Sequence, residues 1–312
     1  MEKCVTAAVN PEKVLKDLRE LWDQLAREQK EAGVLRACAM TLIAIAEDRL
    51  DSERVRQMLG VLMHDHPSRA IVLQAAEGAE TSARVFAECW MPFGRTQQIC
   101  SEGIEMTADA ANLGEVAHLL IPLIVPDLPV MLWCRGPRFF STRYFDPLFS
   151  LAQKIIVDSE TAPNPKGAIA VLKELRSRGQ RIGDLAWTRL TGWRQTIANV
   201  FDDSPLKLSE AKISYAGSLS TGILYFSDWI SMCAPAVRVS LQEVEGEAGL
   251  REVTLSGKDQ TIRVGRCEGC LVEVHASGRE SRSLLPVADP EALLRAELSI
   301  TGPDTVFESI LK

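Results

Sequence analysis

Two short apolar segments constrain the fold of this chain more than any other feature. Residues 128–134 (LPVMLWC) and 154–157 (KIIV) are nearly continuous in apolar side chains, and each ends abruptly in polar residues. A strand without alternating polar residues is typical of a sheet that is covered on both faces, as in the parallel sheets of α/β proteins. The sequence therefore predicts a sheet with helices on its faces, in which these two strands are neighbours.

The remaining pattern divides the chain into two predicted domains. Strand-like segments 69–76, 83–90 and 97–106 are separated by turn residues, so we expect them to pair as hairpins. After residues 202–205 (DDSP), which resemble a linker, a strand and a helix precede four short strands with turn residues between them. We predict an α/β domain with a mixed sheet and flanking helices over residues 1–204. A smaller α+β domain with an antiparallel meander is predicted over residues 205–312.

Length and composition agree with this division. A chain of 312 residues exceeds one small core, and 46% hydrophobic with 25% charged residues is the profile of an ordinary globular protein. Neither an apolar run of ~18 residues nor an apolar signal core at the N-terminus is present. We therefore expect a cytoplasmic protein that does not associate with membranes, and we expect its eight cysteines to be thiols.

The charge is unevenly distributed. A net charge of −7 argues against nucleic-acid binding, but residues 135–194 contain eleven Lys and Arg against five Asp and Glu. A basic segment on an acidic protein indicates an anion site or a surface for an acidic partner. An Arg-rich, solvated helix face is the simpler alternative.

Polar residues follow both apolar strands. Arg135 and Arg138 come after the first strand, and Asp158 and Ser159 come after the second. Because open α/β sheets bind ligands at the carboxyl ends of their strands, these four residues are the candidate anion-binding site. A guanidinium fork could bind a phosphate there while the carboxylate accepts hydroxyl groups, as in a sugar-phosphate pocket. A structural ion pair between Arg135 and Asp158, or a contact with another protein, would use the same residues.

Cys267 and Cys270 form the one C-x-x-C motif of the chain. A structural zinc site needs four ligands, and the sequence has no second pair at a suitable spacing, so we predict no metal site. Glu268-Gly269 is a plausible hairpin tip, which would bring the two cysteines within reach of a disulfide. A redox switch is one interpretation of the pair, and two ordinary thiols is the favoured one.

Trp187, Arg189, Trp193 and Arg194 are candidate partner-binding residues, since Trp and Arg are the types enriched at interface anchors. The alternative is that the two indole rings belong to a domain core. The sequence contains no G-x-G-x-x-G after a strand, no G-x-x-x-x-G-K-[ST] and no G-x-S-x-G. We therefore assign no catalytic residue and no cofactor, which favours a protein that is not an enzyme.

Five segments occur in a characteristic order along the chain. They are HPSRAIVL at 66–73, QICSE at 98–102, DLPVMLWCRG at 127–136, DLAWTRLTGWR at 184–194 and EALLRAEL at 291–298. Together they resemble the glucose-6-phosphate dehydrogenase assembly protein family (OpcA). Two departures from the family pattern are Cys134, where a second Trp is expected, and Gly192, where Pro is expected.

The resemblance implies a non-catalytic, cytoplasmic protein that binds glucose-6-phosphate dehydrogenase, promotes its active oligomeric form and raises its activity. In cyanobacterial members this effect is tied to thiol redox state. The resemblance carries no catalytic residues over to this chain. A sugar-phosphate-binding enzyme or sensor, using the strand ends at Arg135 and Asp158, is the alternative.

Overall fold

The computed structural model describes residues 3–5, 9–28, 33–94, 97–141, 143–202, 208–258, 260–267, 271–276, 279–285 and 289–312. The chain divides into two compact units, the first containing residues 1–158 and 175–183 and the second containing residues 159–174 and 184–312. The sequence pattern instead placed the boundary between residues 204 and 205, in a segment of which residues 203–207 lie outside the described part. Residues 184–202 thus belong to the second unit, because they pack against helices formed by later residues.

Nine strands of the described residues form the sheet of the first unit, in the order β1-β5-β6-β4-β3-β7-β8-β9, and β2 also pairs with β6. The strands are β1 Lys3–Val5, β2 Val34–Arg36, β3 Met40–Ala46, β4 Ser68–Ala76, β5 Ser82–Trp90, β6 Gln98–Asp109, β7 Val130–Cys134, β8 Lys154–Val157 and β9 Ile182–Asp184.

The centre of this sheet is parallel. Strand β3 pairs in parallel with both β4 and β7, and β7 pairs in parallel with β8. If β3, β4, β6, β7, β8 and β9 are counted from one to six, their order in the sheet is 3-2-1-4-5-6. That is the order of doubly wound dinucleotide-binding folds. The predicted mixed α/β sheet is confirmed, and the two apolar strands are parallel neighbours.

The predicted hairpins are correct for one pair of strands and wrong for the other. Strands β5 and β6 are antiparallel, whereas β4 pairs in parallel with β3 and β6. Residues 68–73 at the start of β4 are all buried, which suits a central strand better than a hairpin arm. Cys89 lies directly opposite Cys100 in the β5–β6 ladder, and the two form a disulfide. The expectation of eight thiols is therefore wrong for this pair, because sequence spacing does not reveal cross-strand register.

Helices begin and end where local capping chemistry predicts. Helix α1 starts at Pro11 after Asn10, whose side-chain oxygen accepts a hydrogen bond from the backbone N–H of Glu12 at 2.9 Å. No helix in the described part of the chain combines the length and the apolar character needed to cross a membrane. The first unit contains α1 Pro11–Glu28, α2 Arg49–Leu62, α3 Leu113–Leu120 and α4 Asp146–Phe149, and α5 Pro165–Ser177 contributes to both units.

The second unit contains a six-stranded sheet in the order β11-β10-β12-β13-β14-β15. Strands β10 and β11 are parallel and joined through helix α8, and the other pairs form the predicted antiparallel meander. The strands are β10 Leu208–Ala216, β11 Arg238–Val244, β12 Gly249–Gly257, β13 Thr261–Arg266, β14 Leu271–Ala276 and β15 Arg279–Leu284. The helices are α6 Leu185–Thr188, α7 Thr191–Asp202, α8 Thr221–Cys233, α9 Pro290–Ser299 and α10 Thr305–Ile310.

The two faces of this second sheet differ in chemistry. Val253, Val264 and Val274 lie opposite one another on neighbouring strands and are buried. One residue further along β12, Thr254 lies opposite Arg263, which lies opposite the exposed His275. Because successive side chains on a strand point to opposite faces, one face belongs to the core and the other is polar.

Candidate functional site

The strand order of the first sheet reverses between β3 and β7, and ligands of doubly wound folds bind at such a switch point. Glu47 and Asp48 follow β3 and lead directly into helix α2. Arg135 and Gly136 follow β7. Dinucleotide-binding folds place a glycine-rich turn after the first of these strands, where backbone N–H groups bind the pyrophosphate.

In this chain the turn between β3 and α2 is acidic. Asp48 caps helix α2, and its Oδ1 accepts a hydrogen bond from the backbone N–H of Asp51 at 2.8 Å. The Oδ2 atom of Asp51 accepts a hydrogen bond from the backbone N–H of Glu47 at 3.0 Å. The protein's own carboxylates thus bind N–H groups at the position where a phosphate would need them.

Arg135 connects the end of β7 to this acidic turn. Its Nη2 atom lies 3.0 Å from Oδ1 of Asp51, and its guanidinium lies 4.8 Å from the centre of the Trp133 ring. The ion pair of Arg135 is therefore made with Asp51 from α2, whereas the sequence suggested Asp158 as its structural partner. The Nη1 atom of Arg135 is buried and has no hydrogen-bond partner. The role of Arg135 in anion binding stays a prediction.

The other predicted anion-site residues are placed differently. Arg138 is exposed in a short 3-10 turn, and Asp158 directly follows β8 at the end of the first unit. Ser159 belongs to the second unit, where it is fully buried and its backbone N–H donates to Oδ1 of Asp184 at 3.0 Å. The parallel register of β7 and β8, with Trp133 opposite Ile156, brings the carboxyl ends of both strands to the same edge of the sheet. A shared anion site of Arg135, Arg138, Asp158 and Ser159 stays a prediction.

The switch point does not fit a dinucleotide cofactor. Three carboxylates at Glu47, Asp48 and Asp51 lie in or beside the turn, opposed there by Arg135. A pyrophosphate would meet like charges and occupied N–H groups, which is unfavourable in a partly buried site. In the sequence this arrangement is visible as two acidic residues, Glu47 and Asp48, directly after an apolar strand. The sequence pattern did not identify them as a candidate site.

Gly136 gives a direct test of how tightly this turn is packed. Its φ is +75°, and a Cβ at this position would overlap the carboxylate of Glu47. We expect Gly136→Ala to lower the free energy of unfolding by about 1–3 kcal/mol, because alanine disfavours this positive φ and its Cβ would crowd Glu47. Urea unfolding checks this value. Gly114→Ala in α3 is the control, because a Cβ there contacts nothing and should be neutral or stabilising. Equal effects of the two variants would contradict the packing of this turn.

The candidate partner-binding residues lie in an aromatic cluster of the second unit. Trp187 is 2% exposed, its ring stacks on Phe307 at 5.5 Å, and its Nε1–H donates to Asp304 at 2.9 Å. The guanidinium of Arg194 lies 3.6 Å from the centre of the Trp187 ring, and burial lowers the pKa of Arg194 to about 10. These contacts give Trp187 a packing role and explain why residues 184–202 join the second unit.

Trp193 and Arg189 line a cavity of about 520 Å³ in the same unit. The Trp193 ring is 3% exposed and contacts Phe226 edge to face. Partner binding by this group of residues stays a prediction, and burial keeps both indole rings away from the surface of the unit. Of the candidate redox pair, Cys267 is a half-buried thiol directly after β13, and Cys270 lies outside the described residues. Their role as a switch also stays a prediction.

Sequence reasoning missed a buried ion-pair cluster in the first unit. Glu102 on β6 is 1% exposed and accepts hydrogen bonds from Nε of Arg69 and Nε1 of Trp22, both at 2.6 Å. Arg36 on β2 adds a second guanidinium to the same carboxylate. The available signal was Arg69, the one charged residue of β4, because a charged residue in a central strand is rarely buried unless it is paired.

Fold and site together define the class of the protein. It combines a doubly wound α/β unit, whose switch point is occupied by its own carboxylates, with a second unit built on a mixed sheet. A family model described as the N-terminal domain of a glucose-6-phosphate dehydrogenase subunit matches residues 61–174. A second family model, described as the C-terminal domain of that subunit, matches residues 180–311. The chain belongs to the OpcA family, as the five ordered segments indicated.

Curated relatives agree with this assignment. A protein of Nostoc punctiforme named for OpcA and the OxPP cycle is 24% identical over 203 residues, covering 62% of this chain and 44% of that protein. A protein of Synechococcus elongatus with the same name is 25% identical over 265 residues, covering 80% of this chain and 56% of that protein. The chain therefore spans only about half the length of the curated relatives that it matches.

Solved structures show the fold alone. The 3-ketoreductase KijD10 of Actinomadura kijaniata, in an open conformation with TDP-benzene and NADP, aligns with a TM-score of 0.51 at 11% identity. The match covers 87% of this chain and 94% of that enzyme. A second structure of the same enzyme gives a TM-score of 0.50. The architecture is thus similar to that of an NADP-bound reductase, while the switch point of this chain is occupied by acidic side chains.

Proposed function

We propose that this protein is a non-catalytic activator, which binds glucose-6-phosphate dehydrogenase and promotes its active oligomeric state in the oxidative pentose phosphate pathway. The observation that carries the proposal is that family models described as domains of a glucose-6-phosphate dehydrogenase subunit match most of the chain. The names of the curated relatives support the same pathway. An activator of this kind must bind the active state of its partner more tightly than the inactive state.

The switch point supports the non-catalytic part of the proposal. A reductase of this architecture needs backbone N–H groups for its cofactor phosphates, and here Asp48 and Asp51 accept hydrogen bonds from those groups. The guanidinium of Arg135 is paired with Asp51 in the same place. A doubly wound fold that does not bind a cofactor can serve as a scaffold for binding another protein.

The polar face of the second sheet is the surface that we propose for the dehydrogenase. We call this surface the open face. It contains a row of directly opposed residues from five strands, and it also contains the charged residues Glu252, Glu273 and Arg282 on the same side of the sheet. Arg282 and Glu273 pair across strands at 2.8 Å, and Arg263 lies 3.5 Å from Glu252. Exposed charges of both signs suit electrostatic recognition of a partner. The opposed row is Lys212, Thr254, Arg263, His275 and Glu280.

The test combines kinetics with hydrodynamics. Purified chain is added to its cognate dehydrogenase, and the rate, the KM and the mass by light scattering are measured over the same range of concentrations. We expect the catalytic efficiency to rise by about five-fold or more, in parallel with formation of a larger complex. The chain alone should turn over no metabolite in the presence of NADP. Unchanged kinetics without co-elution, or turnover by the isolated chain, would remove the proposal.

Charge-reversal variants locate the contact. Arg263→Glu combined with Arg282→Glu should reduce complex formation by about ten-fold or more. Both changes replace a positive charge of the open face by a negative one, which removes its electrostatic complementarity to the partner. Lys16→Glu, on the exposed side of α1, is the control for a charge reversal outside the open face and should leave binding unchanged. Equal loss in both variants would indicate a general charge effect and would reject the open face as the contact surface.

A further inference from the structure

The cavity in the second unit has the size and composition of a small-molecule site. Its volume of about 520 Å³ falls within the range of roughly 300–1,000 Å³ that is usual for ligand pockets. One part of its wall is apolar and includes Trp193, Leu190 and Leu250. The other part is polar and is formed by residues 218–222 before and at the start of helix α8, together with three ionisable side chains. Such a mixture is typical of sites that bind a polar metabolite.

The charges around the cavity favour an anion. Arg189, Arg266 and Glu160 are the ionisable side chains that line it within the described residues. The Glu160 carboxylate accepts hydrogen bonds from the backbone N–H of Gly222 at 2.8 Å and from the Ser220 hydroxyl at 3.1 Å. These donors at the N-terminus of α8 partly offset the charge of Glu160, and Arg189 and Arg266 give the ionisable lining a net positive formal charge.

Arg266 carries the observation that points to a ligand. Its Nε atom is buried and has no hydrogen-bond partner in the described structure. A buried donor without an acceptor costs about 1–3 kcal/mol, and native proteins rarely retain one without a reason. The residue ends strand β13 and lines the cavity, so an anion bound there would partly compensate the charge of this incompletely paired guanidinium.

We infer that this cavity binds a small phosphorylated metabolite with hydroxyl groups on its carbon skeleton. Two guanidinium forks suit a phosphate, which offers several acceptor oxygens to planar donors. Residues 218–222 and Glu160 can bind the hydroxyl groups of the ligand, and the apolar wall that includes Trp193 can pack against its carbon skeleton. The residues that line this cavity belong to the second unit, whereas Arg135 and Asp158 belong to the first. The proposed site goes beyond the activator role and does not depend on it, since binding is measured on this protein alone.

The experiment is isothermal titration of the full chain with inorganic phosphate, a hexose monophosphate, the same hexose without phosphate, and a dicarboxylate. We expect saturable binding of the hexose monophosphate, weaker binding of phosphate and none of the free hexose. Tighter binding of the dicarboxylate than of the hexose monophosphate would overturn the assignment of the ligand class. No saturable binding of any probe would overturn the site itself.

Variants distinguish a ligand role of Arg266 from a structural one. Arg266→Gln and Arg189→Gln should each weaken hexose monophosphate binding by about ten-fold or more, the usual effect of losing a charge-assisted hydrogen bond. The Tm of Arg266→Gln should stay equal or rise, because the variant removes a buried Nε–H group that has no acceptor. A lower Tm with unchanged affinity would assign Arg266 to structure and reject the proposal.

Two matched controls locate the binding. Arg263→Gln changes a guanidinium on the same strand that pairs with Glu252 and does not line the cavity, so affinity should not change. Arg135→Gln changes the guanidinium at the strand ends of the first unit. Loss of binding in Arg135→Gln, with retention in Arg266→Gln, would move the ligand to the first unit and overturn the inference.

Discussion

Replacement of Glu102 by alanine is expected to lower the free energy of unfolding of the first unit by about 3–5 kcal/mol. The carboxylate is 1% exposed and binds Arg69, which is itself 7% exposed and also donates from Nη1 to the backbone carbonyl of Leu123 at 2.8 Å. Without Glu102 the charge of Arg69 stays buried with no counter-ion. The Nε1–H of Trp22 also loses its acceptor. The loss should therefore exceed that of an ordinary hydrogen bond.

Urea unfolding followed by tryptophan fluorescence measures this effect, because Trp22 reports directly on the cluster. The control is Arg36→Ala, since the Arg36 side chain is half exposed and its pairing with Glu102 should contribute less than about 1 kcal/mol. Replacing the pair together, by Arg69→Met with Glu102→Leu, should recover much of the loss, because no buried charge remains. A small effect of Glu102→Ala, or a double variant as unstable as the single one, would contradict this account.

Replacement of Asp184 by alanine should destabilise the second unit by a similar amount, about 3–5 kcal/mol. The residue is fully buried, and its Oδ1 atom accepts hydrogen bonds from the backbone N–H groups of Ser159 at 3.0 Å and Ala186 at 2.9 Å. Its Oδ2 atom accepts a hydrogen bond from the Tyr225 hydroxyl at 2.9 Å. Alanine removes the cap of α6 and leaves these buried donors without acceptors.

Asp184→Asn is the matched control. The amide oxygen can still accept from both N–H groups, and the Tyr225 hydroxyl can accept from the amide nitrogen. We expect a loss of only about 1–2 kcal/mol, through the weaker neutral hydrogen bonds. Thermal unfolding monitored by circular dichroism compares the two variants. If the asparagine variant were as unstable as the alanine variant, the negative charge of Asp184 would matter more than its hydrogen-bond geometry.

Tyr225 makes the stability of this cluster dependent on pH. Burial, followed by the nearby Asp184 carboxylate, raises the pKa of the Tyr225 hydroxyl well above its usual value. The folded state therefore holds the phenolic proton to higher pH than the unfolded state, whose pKa is about 10. Stability should be complete below about pH 10 and should fall as the pH rises further. Tyr225→Phe should weaken this alkaline loss in a series of Tm measurements, and an unchanged pH profile would contradict the assignment.

Much of the fold could be predicted because its signals are local. Continuous apolar residues in β7 and β8 predicted strands covered on both faces, and short strands with turn residues between them predicted the meander. The start of α1 followed from an Asn-Pro-Glu capping sequence. Each of these features depends on neighbouring residues, which the sequence displays directly.

Features that join distant parts of the chain could not be predicted in the same way. The parallel pairing of β4, the Cys89–Cys100 disulfide and the ion pair of Arg135 with Asp51 each depend on strand order or register. The placement of Trp187 in the second unit agrees with its stacking on Phe307, which lies far along the chain in α10. The order of residues along the chain does not reveal which distant residues come into contact.

By itself, the sequence determined the secondary structure, the class of sheet and, through five ordered segments, the family, since these follow from local pattern. Tertiary structure alone decided which charges meet: acidic residues occupy the switch point of the first unit, while Arg189 and Arg266 line the same cavity of the second. The physical reason is that an electrostatic interaction depends on distance through space. Residues separated by tens of positions become neighbours only when the sheets and helices have packed.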